Sequence, residues 1–330
     1  MTTTRRDADL ARRIAERHGM DGATLSRLAG SGLVNHVFVA GSGTERAVIR
    51  FAIDPRRPDE FEVEQWCQAR ARARGISVAA TLARGVLDGV PYSLQEFVPG
   101  IPGTSIFPAD AWERLGRFAA SVSAIVPGED APEGLFSRFG RDLPVAWQAH
   151  VEYNLQELGE GDPLLGHGVY AVEDAPRLFL AIRDLRSTPL TFGLTHGDLA
   201  PRNMLVREDG EAVLLDWGGA SAGPAPWTDL ETVYRWHLAE DPPEGFDVPV
   251  GADDLAAFAR GSGIDLGRAT PLLEALVLLH SLDLARWALD MRPDLLPHYA
   301  EDAARFVRRY LATAPVDGTH AAETGGPPPP

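Results

Sequence analysis

The chain has 330 residues, 45% of them apolar and 24% charged, an ordinary globular composition that excludes global disorder. Its basic residues are all Arg, 31 against 47 Asp and Glu, and the net charge of −16 argues against a general nucleic-acid binder, which needs a basic face. A single cysteine, Cys67, allows no internal disulfide, and the longest apolar stretch, 272–289, is broken by Glu274, His280, Asp283 and Arg286, so it reads as a buried helix rather than a membrane span.

Residues 9–18 have the pattern of an amphipathic helix, with Leu10 and Ile14 inward and Gly19 as a stop. The first 20 residues are charged and lack an apolar signal core, so a cytoplasmic protein is expected. Residues 25–28 and 33–40 predict strands around a small-residue turn, Ala29-Gly30-Ser31-Gly32. A further strand is predicted over 47–53, a helix over 58–73 and two more strands over 78–84 and 91–97. The Pro/Gly-rich 98–103 connector suggests a boundary, which makes 1–98 a small β-rich lobe with an N-terminal helix. Residues 99–313 then form a mostly helical lobe, with helices predicted at 110–125, 143–158, 175–186, 227–239, 252–260, 271–290 and 298–312. Residues 314–330 are Pro-rich, short of apolar residues that could pack, and expected to be a disordered tail. The fold class expected is α+β. Charge is uneven: residues 1–99 carry 14 Arg and 12 acids, residues 100–330 carry 17 and 35, so the second part is the acidic one.

The densest chemical signal lies in 194–217, between helical regions. Asp209-Gly210 predicts a two-residue type I′ hairpin turn, because that turn needs positive φ at both central residues. Opposed residues then have numbers summing to 419, which sets Asn203 across from Asp216. An amide oxygen beside a carboxylate makes a hard-oxygen site suited to Mg²⁺, and Asp198 in the preceding loop is close enough to add a third oxygen-bearing group.

The segment His196-Gly-Asp-Leu-Ala-Pro-Arg-Asn203, followed by Leu215-Asp-Trp-Gly218, resembles the catalytic loop and metal motif of the aminoglycoside phosphotransferase-like small-molecule kinases, which share the protein-kinase fold. Other segments match in order. Gly30-Ser31-Gly32 with Asn35 is similar to the nucleotide loop, Arg50 stands on the phosphate-contacting strand, Glu64 lies in the helix that supplies its paired acid, and Glu96-Phe97 resembles the hinge. Asn35 could fix the loop or cap a turn. The resemblance implies a bilobal fold, ATP or GTP and Mg²⁺ as cofactors, Asp198 orienting and deprotonating the attacking hydroxyl, Asn203 and Asp216 holding metal, and Asp229 buttressing the loop. Two departures stand out. The usual phosphate-gripping Lys is Arg50, which keeps a permanent charge and forked donors, and the Lys that protein kinases place two residues after the catalytic Asp is Ala200, which speaks against a protein kinase. Arg202 could touch a phosphate or pair with a nearby acid.

The acceptor should bind against the acidic part, since a cleft lined by one sign concentrates the other. A hydroxylated, cationic small molecule of aminoglycoside type is the leading acceptor, with an amino alcohol or sugar-like metabolite second and a silent pseudokinase-like binder as the alternative from another class. Glu231, Asp241, Glu244 and Asp247 are candidate contacts, as are His280, Asp283 and Trp287, which share one helix face. Monomer and homodimer are equally compatible with the sequence.

Overall fold

The structure is a computed structural model that describes residues 3–28, 35–54, 59–239, 242, 246 and 248–313. The first half of the chain gives α1 (Thr3–Arg17), β1 (Thr24–Arg27), β2 (Asn35–Ser42), β3 (Glu45–Ala52), α2 (Phe61–Ala73), β4 (Thr81–Leu87), β5 (Val90–Glu96), β6 (Ile101–Pro102), α3 (Pro108–Ser123) and α4 (Leu143–Glu157). The second half gives α5 (Pro163–Gly166), α6 (Ala175–Asp184), β7 (Phe192–Thr195), β8 (Met204–Val206), β9 (Ala212–Leu214), β10 (Ser221–Pro224), α7 (Trp227–Leu238), α8 (Ala252–Ser262), α9 (Leu266–Met291) and α10 (Leu296–Thr313). The strand expected over 78–84 starts three residues later, at Thr81, because Val78 instead makes a parallel bridge to Leu214. Among the described residues, no helix is long and apolar enough to cross a membrane. The expected tail, 314–330, lies outside the described residues.

By its contacts the chain divides into two units, Met1–Trp147 with Pro189–Ala269, and Gln148–Thr188 with Thr270–Pro330. The boundary expected near residue 98 falls inside the first of them.

In the first unit an antiparallel sheet runs in the order β1-β2-β3-β5-β4. Strand period decides what β3 shows to each side. Ala47, Ile49 and Phe51 face one way and join Ala11, Ile14 and Ala15 of α1 in a buried cluster. Arg50 is out of phase with them, so it faces the other side of the sheet, and it is still only 7% exposed. Helix α2 buries Phe61, Glu64, Cys67, Gln68 and Ala71, a three- and four-residue spacing that puts Glu64 in the middle of its covered stripe. The β4–β5 hairpin turns on Asp88-Gly89, with φ of 54° and 79°, the two positive values a type I′ turn needs. Further along, α3 and α8 cross at contact distance because Gly116 and Gly261 carry no Cβ: one at Gly116 would run into the Phe258 carbonyl oxygen, and one at Gly261 into that of Glu113.

The second unit is helical, built from the rest of α4, α5, α6, most of α9, and α10. Leu178 and Ile182 of α6, Leu282 and Ala285 of α9 and Val307 of α10 are buried in it. Its interior also holds a polar knot. Arg286 donates to Asn154 Oδ1 at 2.7 Å and to Asp162 Oδ2 at 2.5 Å, and the Tyr170 hydroxyl donates to the same Asp162 oxygen at 2.7 Å. Burial, then that bond to Asp162, push the Tyr170 hydroxyl up, so it stays a donor.

Candidate active site

The segment that resembles a kinase catalytic loop joins β7 to β8. Two short sheets frame it, β7 with β10, and β6-β8-β9. The observed β8–β9 register pairs Met204 with Leu214 and Leu205 with Val213, so opposed numbers sum to 418, not 419. The expected two-residue turn at Asp209-Gly210 is therefore corrected. The reversal begins one residue earlier, with Gly210 N–H donating to Arg207 O and Gly210 at φ 84°. Asn203 consequently pairs through its backbone with Leu215, whose N–H donates to Asn203 O at 2.8 Å, and not with Asp216. A one-residue slip would ordinarily turn Asp216 to the other face. Here Asp216 leaves the strand with φ 55° and ψ 74°, an unusual left-handed conformation for a residue other than Gly.

His196, fully buried, ties the end of β9 to the loop. The Asp198 N–H points at its Nδ1 (3.3 Å), which makes Nδ1 the acceptor, and Nε2–H donates to Leu215 O at 2.9 Å. Burial lowers its pKa against the pull of Asp198 and Asp216, so the ring is neutral, as these two bonds require. Asp229, at the start of α7, accepts from the backbone N–H of His196 (3.2 Å) and Gly197 (2.8 Å). Gly197 has φ 79°, and a Cβ there would strike the Gly219 carbonyl oxygen. Gly197→Ala should therefore lower stability by about 2 kcal/mol or more and disorder the loop, which urea unfolding and kcat together will register.

The Asp198 carboxylate is held at both ends: Oδ1 receives Arg202 Nη2 at 2.6 Å and Oδ2 receives Asn203 Nδ2 at 2.7 Å. Arg50 sits between two acids. It donates to Glu64 Oε1 in the ion pair expected from sequence, and its Nη2 donates to Asp216 Oδ1 at 2.7 Å. Glu64 Oε1 also receives the Trp217 N–H at 3.2 Å. Burial would lower the Arg50 guanidinium, but Glu64 and Asp216 hold it up, so it stays charged. Burial would raise the Asp216 carboxyl, and Arg50 outweighs that, holding it below the usual carboxylate range.

Burial also pushes Asp229 up, to about 6, against the two loop amides. A carboxyl raised in the folded state binds its proton more tightly there than in the unfolded chain. Its stabilising share is complete below the ordinary value near 3.8 and is lost as pH rises through about 6. Between those values the wild type should lose up to about 3 kcal/mol relative to Asp229→Asn, read from urea unfolding of both across pH.

Of the other expected site residues, Asn35 donates from Nδ2 to Glu60 Oε1 at 2.6 Å, and its Oδ1 is buried without a hydrogen-bond partner among the described residues. Glu60 was not foreseen. Its place just ahead of the α2 stripe is the only sequence signal for it. Glu96 ends β5 and receives Arg72 Nη1 and the Ala80 N–H, and Phe97 lies under the Arg46 guanidinium, 3.5 Å from the ring centre. Glu231 is buried on α7, 3.5 Å from Arg235. In the second unit Asp283 lies 3.4 Å from His150 Nε2 and accepts from Asn154 at 3.2 Å; Trp287 packs edge-on to Tyr299; and His280 is half-buried. Gly30, Ser31, Gly32, Asp241, Glu244 and Asp247 lie outside the described residues.

A model of the phosphotransferase enzyme family (APH) matches residues 26–272. Among solved structures, macrolide 2'-phosphotransferase MphH from Brachybacterium faecium is similar at 22% identity and a TM-score of 0.58, covering 91% of this chain and 98% of that one. Aminoglycoside phosphotransferase APH(4)-Ia is similar at 15% identity and 0.58, covering 92% and 98%. A thermostable mutant of the same enzyme, in a ternary complex with AMP-PNP and hygromycin B, is similar at 16% and 0.57, covering 90% and 97%. No curated protein matches the chain in sequence. At these identities the solved structures carry the fold alone, and the family model carries the reaction class. The chain belongs to the aminoglycoside phosphotransferase-like family of phosphotransferase enzymes, small-molecule kinases with an α+β kinase-like fold.

Proposed function

We propose that the protein transfers the γ-phosphoryl group of a nucleoside triphosphate, ATP in preference, to a hydroxyl of a small cationic molecule of aminoglycoside type, with Mg²⁺ as cofactor. The reading rests above all on the Asp198 carboxylate, pinned by Arg202 and Asn203 on the same loop that His196 ties to the backbone carbonyl of Leu215, the residue before Asp216. Phosphoryl transfer passes through a loose transition state, so positioning and charge neutralisation do most of the work. Asp198 is 31% exposed, open enough to accept a hydrogen bond from an incoming hydroxyl and take its proton. Arg50 keeps Glu64 and Asp216 in place and supplies a permanent charge on the nucleotide side.

Asn203 and Asp216 fit a hard divalent ion. The Asn203 Nδ2 is taken by Asp198, which turns its Oδ1 the other way, and the Asp216 side chain is 46% exposed. Among the described residues no three or more His, Cys, Asp or Glu side chains could hold a metal ion by themselves, so an ion here would complete its shell with phosphate oxygens and water, the habit of Mg²⁺. When bound, Mg²⁺ neutralises charge on the triphosphate.

The acceptor class follows from the acidic second part of the chain and from the family, whose solved relatives include a macrolide 2'-phosphotransferase and an aminoglycoside phosphotransferase crystallised with hygromycin B. Incubation with ATP and Mg²⁺ across aminoglycosides, macrolides, amino alcohols and sugars, followed by mass spectrometry, should show one added phosphoryl group on an aminoglycoside-type compound. Phosphorylation of neutral sugars alone would overturn the acceptor reading. The acceptor KM should also rise severalfold between low and physiological salt, since screening weakens cation capture; a flat response would point to a neutral acceptor.

A further inference from the structure

We propose that Arg202 is a positioning residue for phosphoryl transfer, clamping the Asp198 carboxylate in the orientation that receives the acceptor hydroxyl. The inference rests on the reading of Asp198 as proton acceptor. A carboxylate on one or two rotatable bonds swings unless both oxygens are held. Here a neutral amide holds one end and a guanidinium the other, 2.7 Å and 2.6 Å away. Arg202 is in turn fixed from two sides. Its backbone lies inside the tight turn Pro201–Asn203, closed by the Asn203 N–H on Ala200 O at 2.9 Å. Its guanidinium carbon stands 4.9 Å from the ring centre of Phe246, and Phe246 stacks on Trp112 and packs against Trp236, with ring centres 6.1 Å and 5.2 Å apart.

Its remaining terminal nitrogen, Nη1, is buried and has no hydrogen-bond partner among the described residues. A buried donor left unpaired costs free energy, and such atoms tend to mark sites where geometry is held for function. An ordinary surface pair at this four-residue spacing would be a mobile contact worth a few tenths of a kcal/mol, with both nitrogens in water. Along the loop no other cation is offered to Asp198: His196 is neutral and residue 200 is a buried Ala. A Lys in place of Arg202 would bring one point charge without the planar guanidinium that lies over the Phe246 ring while reaching Asp198.

The test is turnover of γ-labelled ATP, measured with the best acceptor of the panel and with water alone. Arg202→Met should lower kcat about 10- to 100-fold with the nucleotide KM within about twofold, the effect of a misplaced catalytic group. Arg202→Lys should recover part of that loss. In an Asp198→Asn background, Arg202→Met should change kcat less than about twofold, because a clamp has no effect once its carboxylate is gone. An unchanged kcat in Arg202→Met, or an equal loss in both backgrounds, would overturn the assignment. Should Arg202→Met fail to fold, Phe246→Leu decides: it keeps the charge and loosens its seat, and a kcat equal to wild type would contradict the clamp. Near wild-type turnover in Asp198→Asn alone would instead sink the underlying reading of Asp198.

Discussion

Asp198→Asn should reduce kcat by about 10²- to 10⁴-fold, the range expected when a positioned general base is removed. The substitution conserves size and removes the charge and the basic oxygen together. It also replaces one acceptor with a donor, facing either the Arg202 guanidinium or the Asn203 amide, both of which already donate to this side chain. Because Asp198 is 31% exposed, water can satisfy part of that mismatch, and the melting temperature should fall by only a few degrees. Steady-state kinetics beside a thermal unfolding curve will separate the two effects. A large loss of kcat with a nearly intact fold supports the base; parallel losses would reduce Asp198 to a structural residue.

Arg50→Met should be the most destabilising substitution at the site. It leaves Glu64, 0% exposed, without its cation, and it leaves Asp216 facing that uncompensated acid. Removing one partner of a buried pair costs about 3–5 kcal/mol, far more than the pair itself contributes, because the remaining charge stays out of water. Urea unfolding should show that loss, and the nucleotide KM should rise by at least tenfold in whatever fraction still folds. Arg50→Lys separates charge from geometry: one ammonium cannot donate to Glu64 and Asp216 in the forked manner of the guanidinium, so stability should be intermediate and nucleotide use poor. Adding Glu64→Leu to Arg50→Met should restore much of the stability without restoring nucleotide use. A double variant that recovered both would remove Arg50 from the reaction.

Much of the site was legible because period and spacing are local properties. Alternation along β3 puts Arg50 on the side away from α1, and the three- and four-residue spacing of Phe61, Glu64, Cys67 and Gln68 turns Glu64 inward, in keeping with the pairing that was expected through the family resemblance. The hairpin register was not legible. Asp209-Gly210 reads equally well as the centre of a two-residue turn or as the end of a turn begun at Arg207, and only the ladder hydrogen bonds distinguish them. The left-handed turn at Asp216 leaves no trace in composition, although it decides where that carboxylate points. Contacts at long separation were similarly hidden: the support of Gly197 by Asp229 was expected only through the family resemblance, and the bond from Asn35 to Glu60 was not expected at all.

The most direct test follows the γ-phosphoryl group itself. With γ-labelled ATP, Mg²⁺ and the acceptor selected by mass spectrometry, label should pass from nucleotide to an acceptor hydroxyl in wild type, and Asp198→Asn should leave it on the nucleotide. Label that accumulates on the protein, or reaches the acceptor equally well without Asp198, would contradict the account.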